Sequence, residues 1–376
     1  MNFIKLLTPR VIAAVLAFSS LASLAQEGVS NTSIVLGQSI ALTGPGSALA
    51  QPFHEGAKMY FDHINAAGGV NGRKIQLITM DDRGNPATTV ANTKKLLDKG
   101  VLSLFGFYGS PQVIATYPLI KDTEVLMFAP MAAAEELHGE FYPNVYSVRP
   151  DYSEESAAIT RHAAVIGMHK LAILHATDGE SLVALKSAER TMSKLGSIVV
   201  AKASMASGSL ANSVDKVLEA APQSFLVISD FSAAASAVRE LHAKGFRGPI
   251  YGFSNTGESL LAEQLGTDGA GVVVVRVVPK SDNNSVAVVR DMQANAAAAK
   301  LGKPNVYMLE GYLAARVYVE ALRRAPGELT RARLKKSIDG MNDVSIGGFR
   351  VHFAGGRVAS KLVNLSLIDS YGRIRE

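Results

Sequence analysis

The residues that could carry out chemistry stand mostly just after apolar runs, and few of them form a reactive set. Gly44-Pro45-Gly46 begins like a dinucleotide-binding fingerprint, yet Leu49 stands where the third glycine belongs. The acid that such a site places about 20 residues further on would have to be Asp62, which falls inside a helical pattern. Gly252-Phe253-Ser254-Asn255-Thr256 is close to a nucleophile elbow but has Thr in place of its last glycine. The sequence has no Walker loop and no H-E-x-x-H pair. Its histidines are not at metal spacing: His54, His63 and His242 sit in helical patterns, and only His175, at the carboxyl end of an apolar run, has a position that could face a cleft. Asp81-Asp82 also ends such a run, where paired acids could serve catalysis or hydrogen-bond the adjacent loop backbone. The expectation is a protein that is not an enzyme and uses no cofactor and no metal.

Other loops offer binding chemistry. In Phe105-Gly106-Phe107-Tyr108-Gly109-Ser110-Pro111, Ser110 is read as a helix N-cap and Pro111 as the first helical residue. Free backbone N–H groups and the positive end of the helix dipole would suit a carboxylate there, although an ordinary cap has the same pattern. The small residues and Tyr108 favour a ligand site, because glycine lets a ligand approach the backbone closely. Ala129-Pro130-Met131-Ala132-Ala133-Ala134-Glu135-Glu136 is a second turn of this kind. Ala176-Thr177-Asp178-Gly179, Ser229-Asp230-Phe231-Ser232 and Phe253-Ser254-Asn255-Thr256-Gly257-Glu258 repeat it later, and Asn255 and Glu258 have the spacing of a capping box. Each could be no more than a cap; they converge on one cleft only if the chain folds as two lobes.

The elements that would position these loops alternate along the chain. Strand patterns at 32–42, 74–80, 101–106 and 125–128 are separated by helical patterns at 51–67, 86–99 and 110–121. After Arg149 the alternation begins again, with helices at 153–166, 180–195 and 233–244 and strands at 170–175, 197–201, 225–228 and 249–252. Strands alternating with helices of 10 to 15 residues imply parallel sheets covered on both faces, and near-continuous apolar runs such as 171–174 and 271–275 fit strands buried on both sides. The expected fold class is α/β, with two doubly wound parallel-sheet lobes. No Pro-, Ser- or charge-rich linker divides them, so short crossovers should join them. Ligands of open parallel sheets bind outside the carboxyl ends of the strands, which is where the loops above would lie.

Composition narrows the class further. The chain has 376 residues, a net charge of +5 and no cysteine, which excludes a lipidated lipobox, a disulfide framework and a thiolate metal site. Its basic residues are scattered, with only short pairs such as Lys94-Lys95, so no nucleic-acid footprint is expected. Lys5 and Arg10, the uncharged apolar run 11–21 and Ser23-Leu24-Ala25 read as a signal peptide cleaved before Gln26. The run is too short for a membrane span, so no stable membrane insertion is expected after cleavage.

Ile40-Ala41-Leu42-Thr43-Gly44-Pro45, the segment Asn65-Ala66-Ala67-Gly68-Gly69-Val70-Asn71-Gly72-Arg73-Lys74-Ile75, and Asp81-Asp82 resemble the leucine/isoleucine/valine-binding proteins of branched-chain amino acid ABC transporters. The resemblance covers essentially the whole secreted chain, more loosely in its later half. It implies the type I periplasmic-binding-protein fold, with three crossovers near 149–152, 275–279 and 361–365. The segments become a signal peptide at 1–25, an N-terminal lobe at 26–149 plus 279–361, and a C-terminal lobe at 150–278 plus 362–376. The implied function is the periplasmic substrate-binding component of an ABC importer, whose partners are a small-molecule ligand and a transporter permease. The alternative is a ligand-sensing protein that regulates a receptor or two-component system.

In amino-acid-binding relatives a Ser and a Thr hold the ligand carboxylate, while a backbone carbonyl and a Glu hold its ammonium. The resemblance puts Ser110 at the first position, next to Gly109, and the Met131 carbonyl at the third, next to Ala132. It replaces the Thr by Ala133 and the Glu by Ser254. Tyr108 and Phe231 would flank the ligand body, and a further family aromatic falls near Asp178. Without the acidic partner a buried ammonium loses its charge-assisted bond. The ligand is therefore expected to be a carboxylate or amide that need not be an α-amino acid, unless Asp178 or Asp230 restores an ammonium site.

Overall fold

The computed structural model describes residues 28–376 apart from Ser207 and Pro326, so the expected signal segment lies outside the described residues. The first lobe runs β1 (Ser33–Ile40), α1 (Ser47–Ala66), β2 (Lys74–Asp81), α2 (Pro86–Asp98), β3 (Ser103–Phe105), α3 (Ser110–Thr116), β4 (Met127–Phe128) and β5 (Val145–Tyr146). Its strands pair in parallel in the order β2-β1-β3-β4-β5. Interior strands of such a sheet are covered on both faces, and Ile34, Leu36, Leu104 and Phe105 are accordingly buried. The carboxyl ends turn polar: Gln38 and Ser39 are buried at the end of β1, and the Gln38 side chain donates to the Gly106 carbonyl at 3.0 Å.

The second lobe follows with α4 (Tyr152–Val165), β6 (Lys170–His175), α5 (Gly179–Lys194), β7 (Ile198–Ser204), α6 (Leu210–Leu218), β8 (Ser224–Ile228), α7 (Phe231–Ala243), β9 (Ile250–Gly252), α8 (Glu258–Leu265) and β10 (Val272–Arg276). The chain then returns to the first core with α9 (Ala287–Ala298), α10 (Val306–Arg324), α11 (Arg331–Asp339) and the hairpin β11 (Val344–Ile346) and β12 (Phe349–Val351). A last passage adds β13 (Asn364–Ile368) and β14 (Ile374–Arg375), completing the order β14-β13-β10-β9-β8-β6-β7.

Two expectations need correction. The second sheet is not wholly parallel, because β13 and β14 pair antiparallel at one edge. An antiparallel edge strand on a parallel sheet needs no covering helix crossover, and the final segment reaches it directly. The helix expected at 110–121 stops at Thr116 and tightens into a 3₁₀ turn at Tyr117–Leu119. Pro118 lacks the N–H that another α-helical turn would use.

Within the first lobe α1 and α10 touch backbone to backbone. A Cβ added to Gly56 would lie 1.9 Å from the Met308 carbonyl oxygen, and one added to Gly311 would lie 1.9 Å from that of Phe53. The two glycines, one on each helix, permit this approach. Asn305 starts α10 by accepting the Tyr307 and Met308 N–H groups at 3.0 and 2.9 Å. The chain passes between lobes after β5, after β10 and after β12. The first and third passages run side by side, with Ser147 N–H donating to the Arg357 carbonyl and Ala359 N–H to the Ser147 carbonyl, both at 2.8 Å.

Candidate ligand-binding cleft

The carboxyl ends of β1, β2 and β3 face those of β6, β8 and β9 across a cleft of about 300 Å³. Tyr108, Gly109, Asp178, Glu180, Asp230 and Asn255 are among its lining. A cavity of about 460 Å³ lies near Glu136, Phe141, Lys186 and Arg190, but of the strand-end loops it touches only the one after β4, at Ala134 and Glu135. Ligands of open α/β sheets bind at strand carboxyl ends, so the smaller cleft, where loops of both sheets meet, is the candidate site.

The first wall is built on an extension of two strands. Tyr108 and Met131 form a parallel bridge, Gly109 N–H donates to the Met131 carbonyl at 3.0 Å, and Met131 N–H donates to the Phe107 carbonyl at 2.7 Å. Gly46 has a left-handed φ of 79°, and a Cβ on it would come within 2.4 Å of the Tyr108 ring. A side chain there would therefore displace the aromatic from the wall. The structure brings Tyr108, Gly109, Ser110, Met131, Ala132 and Ala133 together, but it changes what they do. Ser110 is not the N-cap of α3: Gly109 holds that place without a side-chain bond, and Ser110 is the first helical residue. Its buried hydroxyl instead accepts Ala133 and Ala134 N–H at 3.2 and 3.1 Å. No α-helix begins at Ala133, only a short 3₁₀ turn at Glu135–His138. The backbone donors expected to grip a carboxylate from that turn are thus spent on Ser110.

The second wall is acidic. Asp178 caps α5, accepting Ser181 N–H and hydroxyl at 3.0 and 2.7 Å. Asp230 caps α7, accepting Ser232 and Ala233 N–H at 2.8 and 2.9 Å. Both side chains are exposed at the cleft, as acids at helix N-termini readily are. Phe231 packs against the cores of both lobes and lies beside Gly257, whose added Cβ would also come 3.7 Å from Leu49 of the first lobe. The expected capping box is absent: Gly257 caps α8, and Glu258 instead accepts the Ser366 hydroxyl at 2.6 Å and faces Arg276 at 3.6 Å. His175 turns its Nδ1 to the adjacent Ala176 carbonyl, 2.9 Å away.

Ser254, where the family resemblance implies an acid, is not in a neutral setting. Glu155 accepts its N–H at 2.9 Å and its hydroxyl at 2.8 Å, and Arg149 also contacts that hydroxyl. Arg149 is buried and faces Glu155 at 3.1 Å and Glu310 at 3.3 Å. Burial pushes the carboxyls of Glu155 and Glu310 above their ordinary range, only partly offset by the one guanidinium they share. An acid 99 residues upstream therefore meets the Ser254 hydroxyl, and it is itself held by Arg149.

Sequence reasoning missed Glu180. This residue opens the first turn of α5, and its carboxylate crosses the cleft to the first lobe. It accepts Ser110 N–H at 2.6 Å, the Ser110 hydroxyl at 2.9 Å and the Tyr152 hydroxyl at 2.6 Å. Burial of the carboxylate pushes its pKa up, against the hydrogen bonds from Tyr152 and Ser110 and the charge of Arg149. The only local signal was an acid in a first helical turn, which the dipole favours anywhere. Asp81 and Asp82 do bind loop backbone, accepting Leu42, Thr43 and Arg83 N–H and Gly84 N–H respectively. Among the described residues no group of three or more His, Asp and Glu is placed to hold a metal ion, and no helix is long and apolar enough to cross a membrane.

Two parallel-sheet lobes whose strand ends meet across a cleft, joined by three passages of chain, define a type I binding-protein architecture. The family model described as periplasmic binding protein matches residues 33–362, and the chain belongs to that family, whose members bind solutes rather than catalyse reactions. The Leu/Ile/Val-binding protein BraC3 of Rhizobium johnstonii is 32% identical over 139 residues, 36% of this chain and 38% of that protein. The chain thus matches well under half the length of that curated relative. The crystal structure of an extracellular ligand-binding receptor from Verminephrobacter eiseniae superposes with a TM-score of 0.84 at 26% identity, covering 92% of this chain and 100% of the other. A substrate-binding periplasmic protein from Ralstonia solanacearum gives 0.81 at 25% identity, covering 91% and 99%.

Proposed function

We propose that this protein is the periplasmic substrate-binding component of an ABC importer, exported by the signal peptide at 1–25, and that it delivers a small polar solute to a transporter permease. The lobes are assigned as 26–149 with 279–361, and 150–278 with 362–376. The observation that carries the reading is the cleft itself: strand-end loops of both sheets converge on about 300 Å³, with Tyr108 on one side and Asp178, Glu180 and Asp230 on the other. A solute that touches both walls favours the closed arrangement by its differential affinity for it, which is what a capture-and-deliver cycle requires. The solute is amino-acid-like or an amide; of the expected contact residues, Tyr108, Gly109 and Asp178 line the cleft, while Ser110, Met131, Ala132, Ala133, Phe231 and Ser254 are not among its lining.

The test is a dye-based thermal shift of the chain from residue 26 onward, since it has no tryptophan for intrinsic fluorescence. The panel holds branched-chain and aromatic amino acids, their deaminated acids, short dicarboxylates, amides and amines. A solute at about 100 times its dissociation constant stabilises by about 2.7 kcal/mol. A raised midpoint without turnover supports the reading; chemical conversion of a panel compound, or no shift from any of them, counts against it.

A further inference from the structure

The bonds from Glu180 to Ser110 join the two walls of the cleft through residues 70 positions apart in sequence. All the polar hydrogens that Ser110 can offer are engaged. Its N–H and its hydroxyl both meet the Glu180 carboxylate, at 2.6 and 2.9 Å. The Ser110 oxygen already accepts the Ala133 and Ala134 N–H groups, so the hydroxyl proton is directed to Glu180. On the other side Tyr152, buried in the second lobe, donates its hydroxyl to the same carboxylate at 2.6 Å. Gly179 sits against Pro111, where an added Cβ would come within 3.0 Å of the ring, so α5 approaches α3 closely enough for the carboxylate to reach.

The remainder of the cleft has no cationic lining. Asp178, Glu180 and Asp230 are its charged residues, and among the described residues no Lys, Arg or His lines it. Arg149, the cation behind Ser254, is held by Glu155 and Glu310. A free carboxylate entering this space would find no counter-charge and only the Tyr108 hydroxyl and the Asn255 amide as side-chain donors, whereas an amide NH₂ or an ammonium would find the Asp178 and Asp230 carboxylates.

We infer that Glu180 is a specificity-determining residue: a tethered carboxylate that takes the Ser110 donors in place of a solute carboxylate and draws the lobes together. The solute class that follows is neutral or cationic and rich in hydrogen-bond donors, such as an amide or amine. This inference rests on the reading of the cleft as a solute site.

The experiment compares the chain from residue 26 with its Glu180→Ala and Glu180→Gln variants. Four probes share one branched body: 3-methylbutanamide, 3-methylbutylamine, 3-methylbutanoate and leucine. Calorimetry should show the wild type binding the amide or amine more tightly than the carboxylate, and Glu180→Ala binding the carboxylate at least about tenfold tighter than the wild type. Equal or weaker carboxylate binding by Glu180→Ala overturns the inference, as does a wild type that prefers the carboxylate. Small-angle scattering without any probe supplies a readout independent of solute identity. Both variants should have a larger radius of gyration than the wild type, and if no probe binds, unchanged profiles overturn the inference. Expanded variants together with a wild type that no compound of the broad panel stabilises would leave the latch standing and sink the solute-binding reading instead.

Discussion

The first-lobe wall of the cleft is lined by glycines, prolines, Tyr108 and Gln112, whereas the second-lobe wall offers carboxylates at the starts of helices. The first wall is specified by close backbone geometry, so its glycines admit no side chain. The second is specified by charge, so its residues can sit on exposed helix caps and still act at the cleft. Glu180 is where the two meet, and Arg149 keeps the deeper acids of the junction in place.

That contrast can be broken at several points. The largest effect is expected from Arg149→Met, which leaves Glu155 and Glu310 buried without their cation. A loss of about 3–5 kcal/mol is expected in thermal or urea melts; a loss below about 1 kcal/mol, typical of a surface pair, would show that Arg149 does not hold the acidic side together. Ser110→Ala removes a hydroxyl that serves Ala133, Ala134 and Glu180 at once, and should cost about 1–3 kcal/mol. Asp230→Ala removes only a helix cap at the second wall and should cost about 1 kcal/mol. Equal losses from these two substitutions would erase the distinction between a geometric wall and a charged one.

The smallest effect is a matter of pH. Burial raises the Glu310 pKa, so from the ordinary glutamate value near ~4.3 up to the raised one the folded chain binds more protons than the unfolded chain. This group's contribution to stability is therefore present below that window and is lost as pH rises through it. Glu310→Gln cannot titrate, so the wild-type midpoint should fall relative to the variant's between acid and neutral pH. Parallel curves would show that the shared guanidinium cancels the burial.

The alternation of strands and helices was legible because each element carries its own period, and the loops after the strands were legible as cap chemistry. The roles of Asp81 and Asp82 followed in part from local turn chemistry, since they accept Arg83 and Gly84 N–H just after their own strand; that Asp81 also reaches Leu42 N–H depends on the pairing of β1 with β2. What the sequence did not disclose depends on distant juxtaposition. Ser110 looks like a cap because Pro111 follows it, but a carboxylate 70 residues away draws its hydroxyl elsewhere. Ser254 looks neutral in the sequence because Glu155, which accepts its hydroxyl, lies on another helix. The antiparallel edge of the second sheet is equally silent, because a short strand has the same period whichever way it pairs.

The side-by-side bonding of the first and third crossovers at Ser147 has a mechanical consequence. Two segments tied by paired 2.8 Å bonds twist as a single ribbon rather than as separate strings. The second and third crossovers meet the second lobe side by side, because Arg276 at the end of β10 is paired with Asn364 at the start of β13. The three connections therefore share their torsion, and sliding or splaying of one lobe past the other would have to tear these bonds. What remains soft is rotation about one common axis, so opening the molecule retraces the path that closed it.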